Sequence, residues 1–259
     1  MQQLDVAIYA SAIRVHLWQN LYKKLASTNE CTFKIFFCGH IKPDFELPEN
    51  FIYIHSEMTA APCVEIARRH AINSNSKFVM NFCDDCIIPD QLLDRLVSEL
   101  NDSKEELVVG PSYRVGLKET KDLELKLVIK DPNSPLVPIW PMMKRSTMIK
   151  VGGIDKRFKA IWWDLDILLR LYELGSVSFK VLDNIRIIED ERPSSRSNIN
   201  LFKDNFIFDG PLFYGFYAPG LKFGDPLSIW KWWPIKRTEP VQYYSEDDLK
   251  FSIYSKESK

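Results

Sequence analysis

Apolar residues along this chain alternate between short dense runs and helical spacings. Residues 6–9, 33–38 and 51–55 are brief β-rich runs, the second closed by Gly39. Between the first two, after a small-residue turn at 10–13, Leu17, Leu21 and Leu25 recur at the spacing of one helix face. Residues 65–72 read as a helix carrying Arg68, Arg69 and His70, and Phe78, Val79, Met80 and Phe82 follow as a buried strand. The order β, α, β, β, α, β predicts an α/β chain with a mostly parallel central sheet flanked by helices.

In the second half, Leu92, Leu93, Leu96, Val97 and Leu100 share one side of a helix, and residues 107–109 form a strand ended by Gly110 and Pro111. Residues 113–133 carry no clear period. Pro135, Pro138 and Pro141 dictate an extended or irregular path, because proline continues neither a helix nor a central ladder. Gly152 and Gly153 mark a tight turn or a close backbone approach. A helix is predicted over 164–174, with Leu165, Leu168, Leu169 and Tyr172 on one face and Gly175 as its stop, followed by strands at 177–181 and 185–188. The polar stretch 189–205, broken by Pro193, predicts a mobile lid whose Arg192 and Arg196 reach phosphates. Beyond residue 200 the chain turns aromatic, with Trp230, Trp232, Trp233, Tyr243 and Tyr244 near Lys231, Lys236 and Arg237. We expect a domain over 1–200 and a 201–259 extension packed on it, toward the acceptor side.

Candidate chemistry concentrates where the buried run 78–82 ends in two adjacent carboxylates, Asp84 and Asp85. The carboxyl ends of parallel strands are where open α/β sheets bind ligands. Two neighbouring carboxylates repel each other, and a hard divalent cation with oxygen ligands relieves that repulsion. The competing reading is a loop start with Pro89 opening the next helix. Asp164 and Asp166 open the later predicted helix; positions two apart lie about 200° around the axis, so only one of them can face a given site. For Asp164 the plain role is an N-cap, and for Asp166 a first-turn acid paired with Arg170.

The length, 259 residues with 46% hydrophobic, allows a sizeable core, and a formal net charge of −1 gives no global basic field for a polyanion. Five cysteines, an odd number, together with an amino terminus lacking a basic-then-apolar leader, predict a reduced, cytoplasmic chain, and no apolar run is long enough to be an integral membrane segment. Cys83 and Cys86 form a C-x-x-C pair, but a zinc site wants a second pair, and the intervening carboxylates raise thiol pKa values rather than lower them.

Two stretches together resemble the family 2 inverting glycosyltransferases with the GT-A fold. VAIYASAIRVHLWQNLYKKL resembles that family's opening strand, loop and helix; ARRHAI is similar to its A-R-N-x-G helix; FCDDCIIPDQLLDRLV looks like its D-x-D region; and GGIDKRFKAIWWDLDILLRLYELG is similar to its GGFDE…EDVDLSLRLRKAG segment. The resemblance covers about residues 4–182 and departs at three places. Phe37, Cys38, Gly39 and His40 stand where a base-contacting aspartate is usual, Cys86 takes the place of a third acid, and Trp163 replaces a glutamate. It implies a Rossmann-like GT-A fold and transfer of a sugar from a nucleotide-sugar donor to a hydroxyl acceptor, a glycan, lipid-linked sugar, protein or nucleic acid. It also implies Mn²⁺ or Mg²⁺ on Asp85 and Asp84, donor contacts from Ala10, Ser11, Arg14, Arg68, Asp84 and Asp85, and Asp164 as the catalytic base. Two other classes remain: a catalytically degenerate GT-A domain that binds a glycan or partner, and a nucleotidyltransferase. The latter expects a Gly-rich phosphate loop where this chain has ASAIR.

Overall fold

The computed structural model describes residues 3–115, 125–126, 136–189, 199–217 and 236–254. In chain order the elements are β1 (Leu4–Ser11), α1 (Val15–Thr28), β2 (Phe33–Gly39), β3 (Phe51–His55), α2 (Ala60–Asn73), β4 (Ser76–Asn81), β5 (Cys86–Ile87) and α3 (Leu92–Asp102). There follow β6 (Glu106–Val115), β7 (Leu125–Lys126), β8 (Leu136–Val137), β9 (Met142–Lys144), α4 (Arg145–Val151), α5 (Trp163–Glu173), β10 (Val177–Glu189), α6 (Ile199–Tyr217) and β11 (Ser252–Ile253).

Nine strands form one sheet in the order β11-β3-β2-β1-β4-β9-β6-β10-β5. β1, β2, β3, β4, β6 and β10 run the same way, while β9 is inserted antiparallel between β4 and β6, and the short β11 and β5 close the edges antiparallel. The expected α/β architecture is therefore present. Six strands deliver their carboxyl ends to one edge, and every candidate acid lies near that edge.

Both sheet faces are covered. On one, Trp18, Leu21 and Leu25 of α1 and Leu92, Leu93, Leu96 and Leu100 of α3 pack on Val6, Ile8, Phe78 and Met80. On the other, α2, α5 and α6 cover Ala7, Tyr9, Val79 and Met143. Alternation along β1 and β4 sends successive side chains to opposite cores, which is why these strands read as unbroken apolar runs.

Several boundaries differ from the sequence expectations. β6 runs through Gly110 and Pro111, because Pro111 lies beside a break in register with β10 that removes the need for its missing N–H, and a Cβ at Gly110 would meet Trp140 O at 2.7 Å. The two predicted strands at 177–181 and 185–188 are one, β10, with its irregularity between Leu182 and Arg186. Just beyond the prolines, β9 is a central strand of only three residues, too short for any period to show. Of the predicted lid, Glu189 ends β10 and residues 199–205 belong to α6; Arg192, Pro193 and Arg196, like Trp230, Trp232 and Trp233, lie outside the described residues. Residue 200 falls inside α6, and Phe213, Phe216, Tyr217, Tyr244 and Leu249 share the core under α2 and α5. Among the described residues no helix is long and apolar enough to cross a membrane.

Candidate active site at the carboxyl edge of the sheet

The site is built from the β1–α1 loop, the turn after β4 and the start of α5. Asp84 is 1% exposed and its carboxylate is fully engaged. Oδ2 accepts the backbone N–H of Ile13 at 2.7 Å, that of Arg14 at 2.6 Å and Trp18 Nε1 at 3.0 Å, while Oδ1 accepts Arg14 Nη1 at 2.8 Å. No side chain of α1 caps its own amino end, so Asp84 supplies the acceptor and negative charge that a helix start favours. Trp18 in turn packs against Phe37, Phe51 and Tyr53 with ring centroids 5.5, 5.6 and 5.3 Å away. Asp84 is thus a strap between the β4 turn and the aromatic core, with three donors on Oδ2 and one on Oδ1.

Asp85 is different. It is equally buried, yet Oδ1 accepts only the Cys83 thiol at 2.6 Å, and Oδ2 faces Arg14 Nη2 at 3.0 Å as an ion pair without a hydrogen bond. Burial pushes its carboxyl up to about 6, against the pull of Arg14 and the Cys83 hydrogen bond and with help from the charges of Asp84 and Glu189. An under-bonded, desolvated carboxylate is what a hard cation relieves, and ligand atoms of Cys83, Asp84 and Asp85 lie within 4.8 Å of one another. The residues therefore fit a Mn²⁺ or Mg²⁺ ion at this turn, with Asp85 the less saturated of the two carboxylates. Glu189, whose carboxylate accepts the Tyr113 hydroxyl, is a further acid at this edge that no sequence pattern singled out.

Arg14 spans both carboxylates. Burial opposes its charge, but Asp84, Cys83 and Asp85 more than offset that and raise its pKa. Ala10 is buried at the end of β1 and Ser11 is half-buried beside Cys38, both on the floor of the same edge. Arg68 is elsewhere. It is 6% exposed and holds Glu65 through Nε at 2.8 Å and Nη2 at 2.9 Å. Glu65 also accepts the N–H of Ile154 at 3.1 Å, beneath the Gly152–Gly153 corner. A Cβ at Gly153 would stand 2.9 Å from Glu65 Oε1, and Gly152 has φ of 81°. Arg68 therefore braces that corner through Glu65, apart from the Asp84–Asp85 turn. The Cys83 and Cys86 thiols are both held above their ordinary range, Cys83 chiefly by its hydrogen bond with Cys86 and Cys86 chiefly by burial, so the pair is poorly suited to redox catalysis.

At the start of α5 the helix begins at Trp163, one residue earlier than expected, so Asp164 is a second helical residue rather than the cap. The N-cap position belongs to Trp162, with φ of 67°, a left-handed conformation that a bulky aromatic residue avoids unless held. It is held by stacking on Phe213 at 5.0 Å and by Asp209 of α6, whose carboxylate accepts the N–H groups of Lys159 at 2.9 Å, Ala160 at 2.7 Å and Ile161 at 2.9 Å. Asp164 is half-buried, and burial raises its carboxyl pKa, against the amides of the first turn. It lines a small notch with Tyr9, Asn81, Trp163 and Ile167. Asp166 has the structural part. It is fully buried and held by Arg170 at 2.9 Å, as its i+4 spacing predicts, by Arg237 at 2.6 Å and by the Tyr217 hydroxyl at 2.8 Å. Asp209 and Arg237 were missed because nothing local in the sequence marks an acid or base that serves a loop or helix 45 to 80 residues away.

No family model matches this sequence, and no curated protein matches it. Among solved structures the fold is similar to residues 1–349 of S. aureus TarS, with a TM-score of 0.53 and 12% identity over 80% of this chain and 66% of that one. It is also similar to a longer S. aureus TarS structure, with a TM-score of 0.50 and 13% identity over 83% of this chain and 44% of that one. At such identity the likeness is one of fold, and this chain spans less than two thirds of either TarS chain.

Proposed function

We propose that this chain is a glycosyltransferase that moves a sugar from a nucleotide-sugar donor to a hydroxyl acceptor, with inversion and with a divalent ion at Asp85. The carrying observation is that two carboxyl groups, Asp85 and Asp164, are far less saturated than Asp84 and Asp166, Asp85 holding only the Cys83 thiol and its ion pair with Arg14. Both have raised pKa values, and they belong to different parts of the same sheet edge. The fold likeness to TarS, a glycosyltransferase, supports the reaction class.

In this reading Asp164 accepts the proton of the attacking hydroxyl, and its raised pKa brings its basicity closer to neutral pH, where proton acceptance is effective. Asp85 would hold a Mn²⁺ or Mg²⁺ ion, which when bound supplies neutralisation of the leaving diphosphate. Arg14 adds fixed positive charge at the same place, and Asp84 keeps Arg14 and the β1–α1 loop there. Trp163 lines the same notch as Asp164.

A second reading, a sugar- or partner-binding domain without transfer, is favoured by one feature: Arg14 already stands between the two carboxylates. Thermal shift across a panel of nucleotide sugars with and without Mn²⁺ separates the two. A ligand at about 100 times its Kd adds about 2.7 kcal/mol, and slow donor hydrolysis should accompany it in the enzyme. Absence of any nucleotide-dependent shift would remove the enzyme reading.

A further inference from the structure

Asn81 is the last residue of β4, 2% exposed, and neither Nδ2 nor Oδ1 of its carboxamide has a hydrogen-bond partner. Among the described residues no other side chain has two such buried atoms. A carboxamide offers two N–H donors and an oxygen acceptor, and an unpaired buried polar group is costly, so native proteins keep one only where something else completes it. The backbone of Asn81 is ordinary, its N–H bonded to Pro141 O at 3.0 Å, so the anomaly lies in the side chain alone.

That side chain lines the notch that Asp164 also lines, walled by Tyr9, Met143, Trp163 and Leu168. The notch encloses about 10 Å³, the room that one water or one hydroxyl oxygen occupies. The other polar side-chain groups of its walls are the Tyr9 hydroxyl and the Trp163 indole N–H, the latter given to Ala160 O at 3.2 Å, so the amide of Asn81 and the carboxyl of Asp164 are polar neighbours such an oxygen can turn to.

We propose that Asn81 and Asp164 form a hydroxyl-binding notch, in which the Asn81 N–H₂ donates to an oxygen whose own proton points at Asp164. The occupant is a hydroxyl of the sugar acceptor, and a water when no acceptor is present. The role rests on the reading of Asp164 as base. Asn81 then holds the nucleophilic oxygen with its lone pair free for attack, and the proton passes to the Asp164 carboxylate as the new C–O bond forms and the bond to the diphosphate breaks. The unsatisfied amide becomes satisfied only with an oxygen in place.

The test has an arm that does not need turnover. Side-chain amide resonances of Asn81 should shift on titrating Asp164 with the same midpoint as the Asp164 carboxyl, and should shift again with glycerol, used as a plain hydroxyl probe. Asn81→Asp should move the Asp164 midpoint up by a unit or more, since a second carboxyl then shares the notch. In the turnover arm, Asn81→Leu should melt no lower than the wild type, because it breaks no internal hydrogen bond. It should lower transfer by on the order of a hundredfold while the donor KM stays within about twofold. An Asn81 amide blind to Asp164 and glycerol, or an Asn81→Leu protein that melts lower with transfer unchanged, would overturn the proposal. Responsive resonances in a wild-type protein that transfers no sugar would instead sink the transferase reading and leave the notch as the hydroxyl site of a binding domain.

Discussion

Replacing Asp85 with asparagine separates a cation site from an ordinary ion pair. Asparagine resembles the protonated carboxyl in shape and cannot hold a negative charge. The Asp85 carboxyl is pushed from 3.8 to about 6 by burial, despite the Arg14 guanidinium 3.0 Å away. A folded-state pKa above the unfolded one means the folded protein binds the extra proton between those values, so metal-free stability falls as pH rises from about 4 to about 6 and stays low above that. At 1.36 kcal/mol per unit the loss is up to about 3 kcal/mol. Asp85→Asn should therefore stabilise the metal-free protein at pH 7 by up to about 3 kcal/mol, several degrees in melting temperature for a chain of this size. Urea unfolding at pH 4 to 8, with and without Mn²⁺, measures both parts. The wild type should slope downward to pH 6 and recover with Mn²⁺, whereas the variant should be flat across this range and ignore the metal. If Asp85→Asn is instead less stable at pH 7, the pairing with Arg14 outweighs burial and Asp85 is a structural anchor, not a metal ligand.

Asp164→Asn should keep the melting temperature, because an asparagine oxygen can accept from the same first-turn amides, and should lose transfer by about a hundredfold or more. The wild-type rate should fall as pH drops through a midpoint above the ordinary carboxylate range, as a pH–rate profile would display. Asp84→Ala leaves two amides and the Trp18 N–H without their acceptor and removes one of the two carboxylates on Arg14, and should destabilise by about 3–5 kcal/mol in denaturant titrations; a fully stable Asp84→Ala protein would refute its role as a strap. Asp209→Ala should cost about 1–3 kcal/mol for three part-buried amides and also release Trp162 from its left-handed conformation. Hydrogen exchange at Lys159, Ala160 and Ile161 would then accelerate together, and unchanged exchange would count against the assignment.

The sheet and the strand-end acids were legible because they rest on local patterns: apolar runs at 6–9, 33–38, 51–55 and 78–82, and charges placed directly after one of them. Two adjacent aspartates cannot reveal which of them is saturated, since that depends on amides of Ile13 and Arg14 some 70 positions earlier. Only the family resemblance places Arg68 at the donor; that it pairs with Glu65 beneath the Gly152–Gly153 corner is a contact between segments far apart in the chain, which no local pattern displays. Asn81 passed unremarked as a polar break in an apolar strand. Its meaning lies in what fails to bond to it, which only the three-dimensional arrangement exposes.

Asp209 and Arg237 also set the timetable on which the site can come into being. A ribosome releases this chain from its amino end, and the sheet strands β1 to β4, with Asp84 and Arg14, are complete within the first 85 residues or so. The loop before Trp162 is held to α2 by the Ala61 N–H on Lys159 O but lacks its Asp209 anchor until that residue has emerged, and Asp166 lacks its second cation until residue 237 has. The part of the edge carrying Asp84 and Asp85 can thus form during synthesis, while the part carrying Asp164 waits for residues 209 and 237. A nascent or truncated product ending near residue 200 would therefore be expected to hold the carboxylate turn without the ability to use it.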